Sequence, residues 1–402
     1  MKPSCRFCLL VWILAISPVA CAAARQGTTV SKPSGSPMQR VTVLSYNTLH
    51  GLEPSGLIVK PSEPDEARQA RLHLQFEQLA VARPELILLQ EVNPLPEMAD
   101  TYVAAMKRAG LEYSQVHQVD ACGVRLAPGL AVVPHLNNGL VVLAKAPLKL
   151  RKVVGLKLSG GFGRCDDYMG LQTGELRYAL VAEVENPDTG KKLLAVSLHL
   201  HSGIERNAFF IQKINEAVKQ GRARREDFER IVAAIEQDQN RRLDEIRLLM
   251  KEIQQLDAKG QYIGTLVGGD FNFEPDDPEY RELERAGLTD TYVMAKSQSE
   301  IYSLDPQQNV IAGKGVQEVP AALREAMKRL PQSQQQKILE GYQAGISQAR
   351  RVDFLFLMRK PSNGPTGCFH QELFGKPAMV SIRPPSDHYG VLVTYLADAS
   401  RC

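Results

Sequence analysis

Asp270 and Asn272 stand two residues apart where the apolar run Ile263–Val267 gives out through Gly268 and Gly269. In an extended chain that spacing points both side chains the same way, so the strand delivers a carboxylate and a carboxamide to its own end. Other apolar runs finish on Asn47, Glu91 and His199, while Asp353 and the pair Asp387-His388 precede the last two runs. If those last two strands run antiparallel to the rest, all six polar ends meet at one sheet edge. Carboxylates with carboxamides make a hard-oxygen site suited to Mg²⁺ or Mn²⁺ and to a substrate phosphate. The two histidines add donors for phosphoryl oxygens, and Asp270 is placed to orient and deprotonate an attacking water. A zinc hydrolase fits less well without an HExxH run, and no GxSxG elbow offers a serine nucleophile.

The elements that must position these residues follow from periodicity. Val41–Leu44, Leu86–Leu89, Gly139–Ala144, Leu176–Val184, Leu193–Leu198, Ile263–Val267, Val352–Met358 and Val391–Leu396 read as strands. Helical spacing of apolar residues covers Glu66–Ala82, then Pro96–Arg108 with Gly110 as its stop, and Asp277–Ala286 with Gly287 as its stop. From Ile204 to Leu256 the chain is helical and highly charged, and the part before Gln239 reads as an insertion; residues 310–349 are helical with loops. The Gly-rich loop Ser159–Arg164 lacks the Lys-Ser/Thr pair of a nucleotide cradle and reads as a disulfide-tethered surface loop. His201 is left as structural or substrate-facing. His50, His73, His117, His135 and His370 match no motif and read as surface or packed side chains.

Residues 1–24 have a signal-peptide layout: Lys2 and Arg6, an apolar run from Phe7 to Ile16 too short to span a bilayer, then small residues. The rival reading is a lipoprotein anchored through Cys21. Residues 25–39 read as a polar linker and 40–398 as the catalytic domain, with its helical insertion near 204–239. A secreted or periplasmic chain would keep Cys122, Cys165, Cys368 and Cys402, an even set for which Cys122–Cys165 and Cys368–Cys402 are the preferred pairs. The formal charge is only +3, and Lys2 and Arg6 of the leader supply two of those positive charges, so no strong field points to nucleic acid or anionic membrane.

Seven short motifs then stand in order: Leu44-Ser45-Tyr46-Asn47, Leu89-Gln90-Glu91-Val92, Asn138-Gly139-Leu140, Leu198-His199-Leu200, Gly269-Asp270-Phe271-Asn272, Arg351-Val352-Asp353-Phe354 and Ser386-Asp387-His388. In this order the chain resembles the endonuclease/exonuclease/phosphatase superfamily from about Val41 to Leu396. The resemblance implies a four-layer α/β sandwich, two mainly antiparallel β-sheets packed face to face with helices outside. It implies Glu91 as the principal metal ligand, with Asn47 beside it and Asp387 near the metal. Asp270 would align the nucleophilic water, Asn272 and His199 would hold phosphate oxygens, and His388, oriented by Asp353, would contact the scissile phosphate.

Leu198–Ser202 followed by Glu205-Arg206-Asn207, Ser386–Gly390, and Tyr302–Pro306 to Asn309 are similar to the neutral sphingomyelinase-like branch. This branch implies a phospholipid head group as substrate, with contact at a membrane surface. The alternatives are a secreted endonuclease acting on nucleic acid, a small-molecule phosphatase, and a non-catalytic phosphoester-binding relative. No protein partner is inferred.

Overall fold

The computed structural model describes residues 40–55, 58–121, 125–127, 130–131, 137–160, 176–204, 208–221, 224–296, 301–315, 319–328, 330–359, 367–376 and 384–396. The leader, the linker, Cys21, Cys122, Cys165, Cys402, His135 and Glu205-Arg206-Asn207 lie outside them, and so does the Gly-rich loop from Gly161 on.

The described chain enters on β1 (Arg40–Asn47), passes a hairpin of β2 (Leu52–Ser55) and β3 (Ile58–Pro61), and continues into α1 (Asp65–Ala82). Next come β4 (Leu86–Val92), α2 (Glu97–Arg108), β5 (Tyr113–Ala121), the short β6 (Arg125–Ala127) and β7 (Leu130–Ala131), and β8 (Asn138–Lys145). The middle holds β9 (Lys149–Ser159), β10 (Arg177–Glu185), β11 (Lys192–His199), α3 (Ala208–Lys219), α4 (Arg225–Leu256) and β12 (Gly264–Asp270). After α5 (Pro278–Arg285), β13 (Thr289–Asp290) and α6 (Thr291–Met294) come the helices α7 (Ala312–Gly315), α8 (Ala321–Met327) and α9 (Gln332–Ile346). The strands β14 (Asp353–Arg359), β15 (Cys368–Phe374) and β16 (Gly390–Leu396) complete the order.

Two six-stranded sheets result, β15-β16-β1-β4-β8-β5 and β13-β14-β12-β11-β10-β9. Each contains one parallel pair, β1 with β4 and β11 with β12, among antiparallel neighbours. Between the sheets lies an apolar layer of residues such as Leu88, Val142, Leu180, Leu266 and Leu355. Outside the first sheet, Leu79, Tyr102 and Met106 of α1 and α2 cover Leu44, Ile87 and Val141. Outside the second, Ile246, Leu249 and Ile253 of α4 with Tyr280 and Leu283 of α5 cover Val196, Val267 and Phe356. This is the expected four-layer sandwich, with helices on both outer faces.

Two details shape the end of the sandwich where β1, β4, β11 and β12 finish. A Cβ on Gly268 would lie 2.7 Å from Leu88 Cδ1 and 3.0 Å from Ser45 Oγ, so the glycine lets the sheets close together. Across the same layer Gln90 Nε2 donates to Ser197 Oγ at 3.0 Å, and that hydroxyl donates to Leu89 O at 3.0 Å. The six polar strand ends, expected at one sheet edge, therefore come three from each sheet: Asn47, Glu91 and Asp387-His388 from one, His199, Asp270 and Asp353 from the other.

Within the two large sheets, the strands absent from the periodicity reading, β5, β9, β13 and β15, are the edge strands. Their apolar runs are broken by polar residues, some exposed, such as Ser114, Lys157 and Glu372, and some buried, such as Gln118, Asp290 and Gln371, so they lack the continuous signal of a strand covered on both faces. The charged helical stretch packs in two places. α4 continues from Arg225 to Leu256; its second half covers the sheet, while Ile231 and Ile235 of its first half join Phe210 and Ile214 of α3, Leu323 and Met327 of α8, and Ile338 and Tyr342 of α9. Segments more than eighty residues apart in sequence thus share one satellite core. Among the described residues no helix is long and apolar enough to cross a membrane.

Candidate active site

The parallel pairs bring the C-terminal ends of β1, β4, β11 and β12 to one end of the sandwich, where the antiparallel β14 and β16 begin. Glu91 reaches the site through a break in the ladder. The pairing of β4 with β8 slips between Leu89 and Val92, and Glu91 has φ of +57°. A bulge of this kind re-aims a side chain, so Gln90 can stay between the sheets while Glu91 turns to the rim. Asn272, at φ +53°, makes the corresponding turn beyond β12. Non-glycine residues in this region cost about 1–3 kcal/mol each, which the surrounding packing must offset.

Asp270 Oδ2 is the hub. Asn47 Nδ2 donates to it at 3.1 Å, with His199 Nε2 at 3.6 Å and His388 Nε2 at 3.7 Å. The backbone N–H of Asn272 donates to the other oxygen, Oδ1, at 3.1 Å. Glu91 Oε1 accepts from Asn47 Nδ2 at 3.1 Å and lies 3.9 Å from His199 Nδ1. Asp353 Oδ2 meets His388 Nδ1 at 2.7 Å, a buried charge-assisted contact. Asn272 Nδ2 also donates to Leu200 O at 3.0 Å, bracing the turn. All the expected site residues except Asp387 are thus linked by direct contacts, and Asp387 sits beside them, its Oδ1 3.1 Å from Ser386 Oγ.

A set of buried polar residues holds these groups in place. Ser303 Oγ accepts from the N–H groups of Val352 and Asp353 at 3.1 and 3.0 Å, and Tyr389 N–H donates to Ser303 O at 2.7 Å. Asn309 Nδ2 donates to Ser386 O and Asp387 O, both at 2.9 Å. From α1, Arg71 Nη1 donates to Thr48 O at 2.6 Å, and Gln75 Nε2 donates to Thr48 O and Pro385 O at 3.0 and 2.7 Å. The loops after β1 and before β16 are therefore pinned to the same helix.

The electrostatics follow from packing several carboxylates and imidazoles out of water. Burial pushes the Asp270 carboxyl up to about 7, helped by Asp353 and Glu91 and opposed by His388. Burial likewise raises Asp387, with Glu91's charge adding to it. For Glu91 burial also works against the charge, yet His50, His199 and the His50 N–H outweigh it and hold the carboxyl well below its usual range. Burial disfavours a charged His388, but Asp353, Asp270 and Asp387 together raise it well above the ordinary histidine value.

These donors fit a divalent cation. Glu91 and Asp387 are hard oxygen donors whose mutual repulsion such an ion would relieve. A second donor set is present, with one ligand atom from each of Asp270, Asp353 and His388 lying within 4.8 Å of the others. Asn47, expected beside the metal, stands between Glu91 and Asp270. Two carboxylates need a donor, so its nitrogen faces Glu91 and Asp270 while its oxygen accepts from Leu49 N–H at 3.1 Å.

Two histidines outside the motifs find their places. His201, left open there, turns to α4, its Nε2 2.8 Å from Asp238 Oδ1, and is structural. His50, set aside as a surface or packed residue, belongs to the rim of the site: its N–H donates to Glu91 Oε2 at 3.0 Å and its Nε2 lies 3.6 Å from that oxygen. Its place three residues past Asn47, on the same loop, was the available signal.

Comparison with known proteins bears on this arrangement. The model of the endonuclease/exonuclease/phosphatase family matches residues 44–320. No curated protein sequence matches the chain. Among solved structures, truncated TDP2 of Caenorhabditis elegans is 16% identical, with 89% of this chain and 98% of that one covered at a TM-score of 0.50. An endonuclease/exonuclease/phosphatase from Bacteroides vulgatus is 15% identical over 89% and 98% at 0.50. A family protein from Bacteroides thetaiotaomicron is 14% identical over 90% and 97%, also at 0.50. At such identities the structures speak for the fold, while the family match spans more than half of the sequence. On that match, and with the sandwich and its polar rim as found, the chain is a phosphoester hydrolase belonging to the endonuclease/exonuclease/phosphatase family.

Proposed function

We propose that the chain is an exported, divalent-metal-dependent phosphodiesterase acting on a phospholipid-type, sphingomyelin-like head group. Hydrolysis rests on the convergence of Glu91, Asp270, His199 and the Asp353–His388 pair at one rim. Members of this family depend in general on a divalent metal. Mg²⁺ or Mn²⁺ would be held by Glu91 with Asp387 near it, and when bound would neutralise charge on the phosphoryl oxygens. Asn47 then keeps Glu91 and Asp270 in register by donating to both. Asp270 orients the attacking water and takes its proton, a role that suits a carboxyl raised to about 7. His199 and the second amide hydrogen of Asn272 donate to non-bridging oxygens, and His388, oriented through Nδ1 by Asp353, donates to the scissile phosphate. The Asp270–Asp353–His388 set is the less suitable cation site, because its two strongest donors already satisfy one another at 2.7 Å.

One observation carries the substrate class. Two of the three stretches similar to the sphingomyelinase-like branch, Tyr302 to Asn309 and Ser386 to Gly390, are bonded into one unit through Ser303, Asn309 and Tyr389. The low net charge fits a single head group better than a long polyanion. Export is supported by the leader layout of residues 1–24, with 25–39 as linker and 40–398 as catalytic domain, and by the even set of four cysteines that follows the leader. The test is a side-by-side assay of the purified protein on sphingomyelin, phosphatidylcholine, plasmid DNA and inositol phosphates, with Asp270→Asn as blank. Release of phosphocholine from sphingomyelin is the expected result. Cleavage confined to DNA would replace the substrate reading with a nuclease.

A further inference from the structure

His199 and His388 are buried in the site, whereas the His50 side chain is 31% exposed at its rim. The loop that carries His50 is rigidly held. Arg71 donates to Thr48 O and Leu49 O, Asn93 Nδ2 donates to His50 O at 3.3 Å, and His50's own N–H is spent on Glu91. Its ring is oriented as well, because Leu52 N–H donates to Nδ1 at 2.9 Å. A ring nitrogen that accepts a hydrogen bond carries no proton, so in the neutral ring the proton sits on Nε2. That nitrogen is thus a donor and offers no lone pair to a metal. It lies 3.6 Å from Glu91 Oε2, too far for a good hydrogen bond, and the His50 side chain is more exposed than that of Glu91, 31% against 14%.

We infer that His50 is a substrate-binding residue whose Nε2–H donates to a non-bridging phosphate oxygen at the outer wall of the site. The inference rests on the phosphoesterase reading above. It adds a third imidazole to His199 and His388, one that meets the phosphate from the entrance. The donor is pre-aimed by Leu52, so little ordering is needed when the anion arrives.

The test compares wild type, His50→Ala and His50→Gln on bis-p-nitrophenyl phosphate with Mn²⁺. Inhibition by inorganic phosphate and Mn²⁺ affinity by electron paramagnetic resonance are measured alongside. Loss of one hydrogen bond to a charged oxygen predicts that His50→Ala raises KM and the phosphate inhibition constant roughly 10- to 100-fold. Its kcat should stay within about threefold and its Mn²⁺ affinity should not change. His50→Gln, which keeps a donor, should recover much of the loss. An unchanged KM, or Mn²⁺ affinity that falls in step with activity, overturns the inference, the latter because His50 would then act through Glu91. Long-range ¹H–¹⁵N spectra decide independently of turnover. An Nε2–H resonance that moves on adding inorganic phosphate supports the inference; an Nε2 without a proton or an unmoved resonance refutes it. Wild type without hydrolysis of any phosphoester would instead sink the proposed function, and the spectra would still judge His50.

Discussion

Replacing Asp353 by Asn tests how much of the chemistry depends on aiming His388. Asp353 is buried, and its Oδ2 stands 2.7 Å from His388 Nδ1, so the contact is a charge-assisted hydrogen bond out of reach of solvent screening. Such a bond contributes about 1.5–3 kcal/mol. If that stabilisation is felt mainly in the transition state, its loss lowers kcat roughly 10- to 150-fold. Asn keeps the size of the side chain, and the backbone anchor from Asp353 N–H to Ser303 Oγ is untouched, so the strand start should hold its place. Asp270 and Asp387 still face His388, which limits the effect to aim rather than to loss of every favourable charge. The assay is steady-state hydrolysis of bis-p-nitrophenyl phosphate with saturating Mn²⁺, with circular dichroism to establish folding. The expected result is the stated fall in kcat with KM within about threefold. A folded variant that retains kcat within threefold would refute the positioning role of Asp353.

Three further outcomes follow from the packing. Asn309→Ala removes both bonds to Ser386 O and Asp387 O, so kcat should fall at least tenfold and the melting temperature by several degrees, read by assay and calorimetry. Asp238 bears on stability against pH. Burial opposes its charge, but bonds from His201 and from Ile204 N–H outweigh it and depress its folded-state pKa, so its contribution is complete above the unfolded value near 4 and is lost as pH falls through the depressed value. Asp238→Asn should therefore lower the urea midpoint at pH 7 by an amount worth about 1–3 kcal/mol, with the gap from wild type closing below about pH 4. Gly269→Ala would set a Cβ 2.0 Å from the backbone oxygen of Leu198, so β11 and β12 would have to part; soluble yield and melting temperature should drop by more than ordinary overpacking, about 1–3 kcal/mol, would cause.

The residues at the rim were legible because each ends or begins a buried strand, where an apolar run stops on a polar group. Glu91, His199, Asp270, Asp353 and His388 come together for that reason. Their partition between two sheets was not legible, since a strand's sequence does not say which of two stacked sheets it joins. The bulge that turns Glu91 outward leaves no residue signature such as glycine. The direction of Asn47's carboxamide depends on having Glu91 and Asp270 on one side and Leu49 N–H on the other, which is tertiary information. The same holds for Arg71 and Gln75. On α1 they look like solvent-facing polar residues, but they are buried against the loops that flank the site. The satellite core joins α3 and the first half of α4 to α8 and α9, which no local periodicity can connect.

The central claim is that Glu91 holds the divalent cation on which hydrolysis depends. Titrating Mn²⁺ into the metal-stripped protein while following bis-p-nitrophenyl phosphate hydrolysis, for wild type and Glu91→Gln, tests it most directly. Saturable activation of wild type that EDTA abolishes is expected, with a loss of at least about 100-fold in Glu91→Gln. Hydrolysis that survives EDTA, or a Glu91→Gln protein that responds to Mn²⁺ as wild type does, would contradict it.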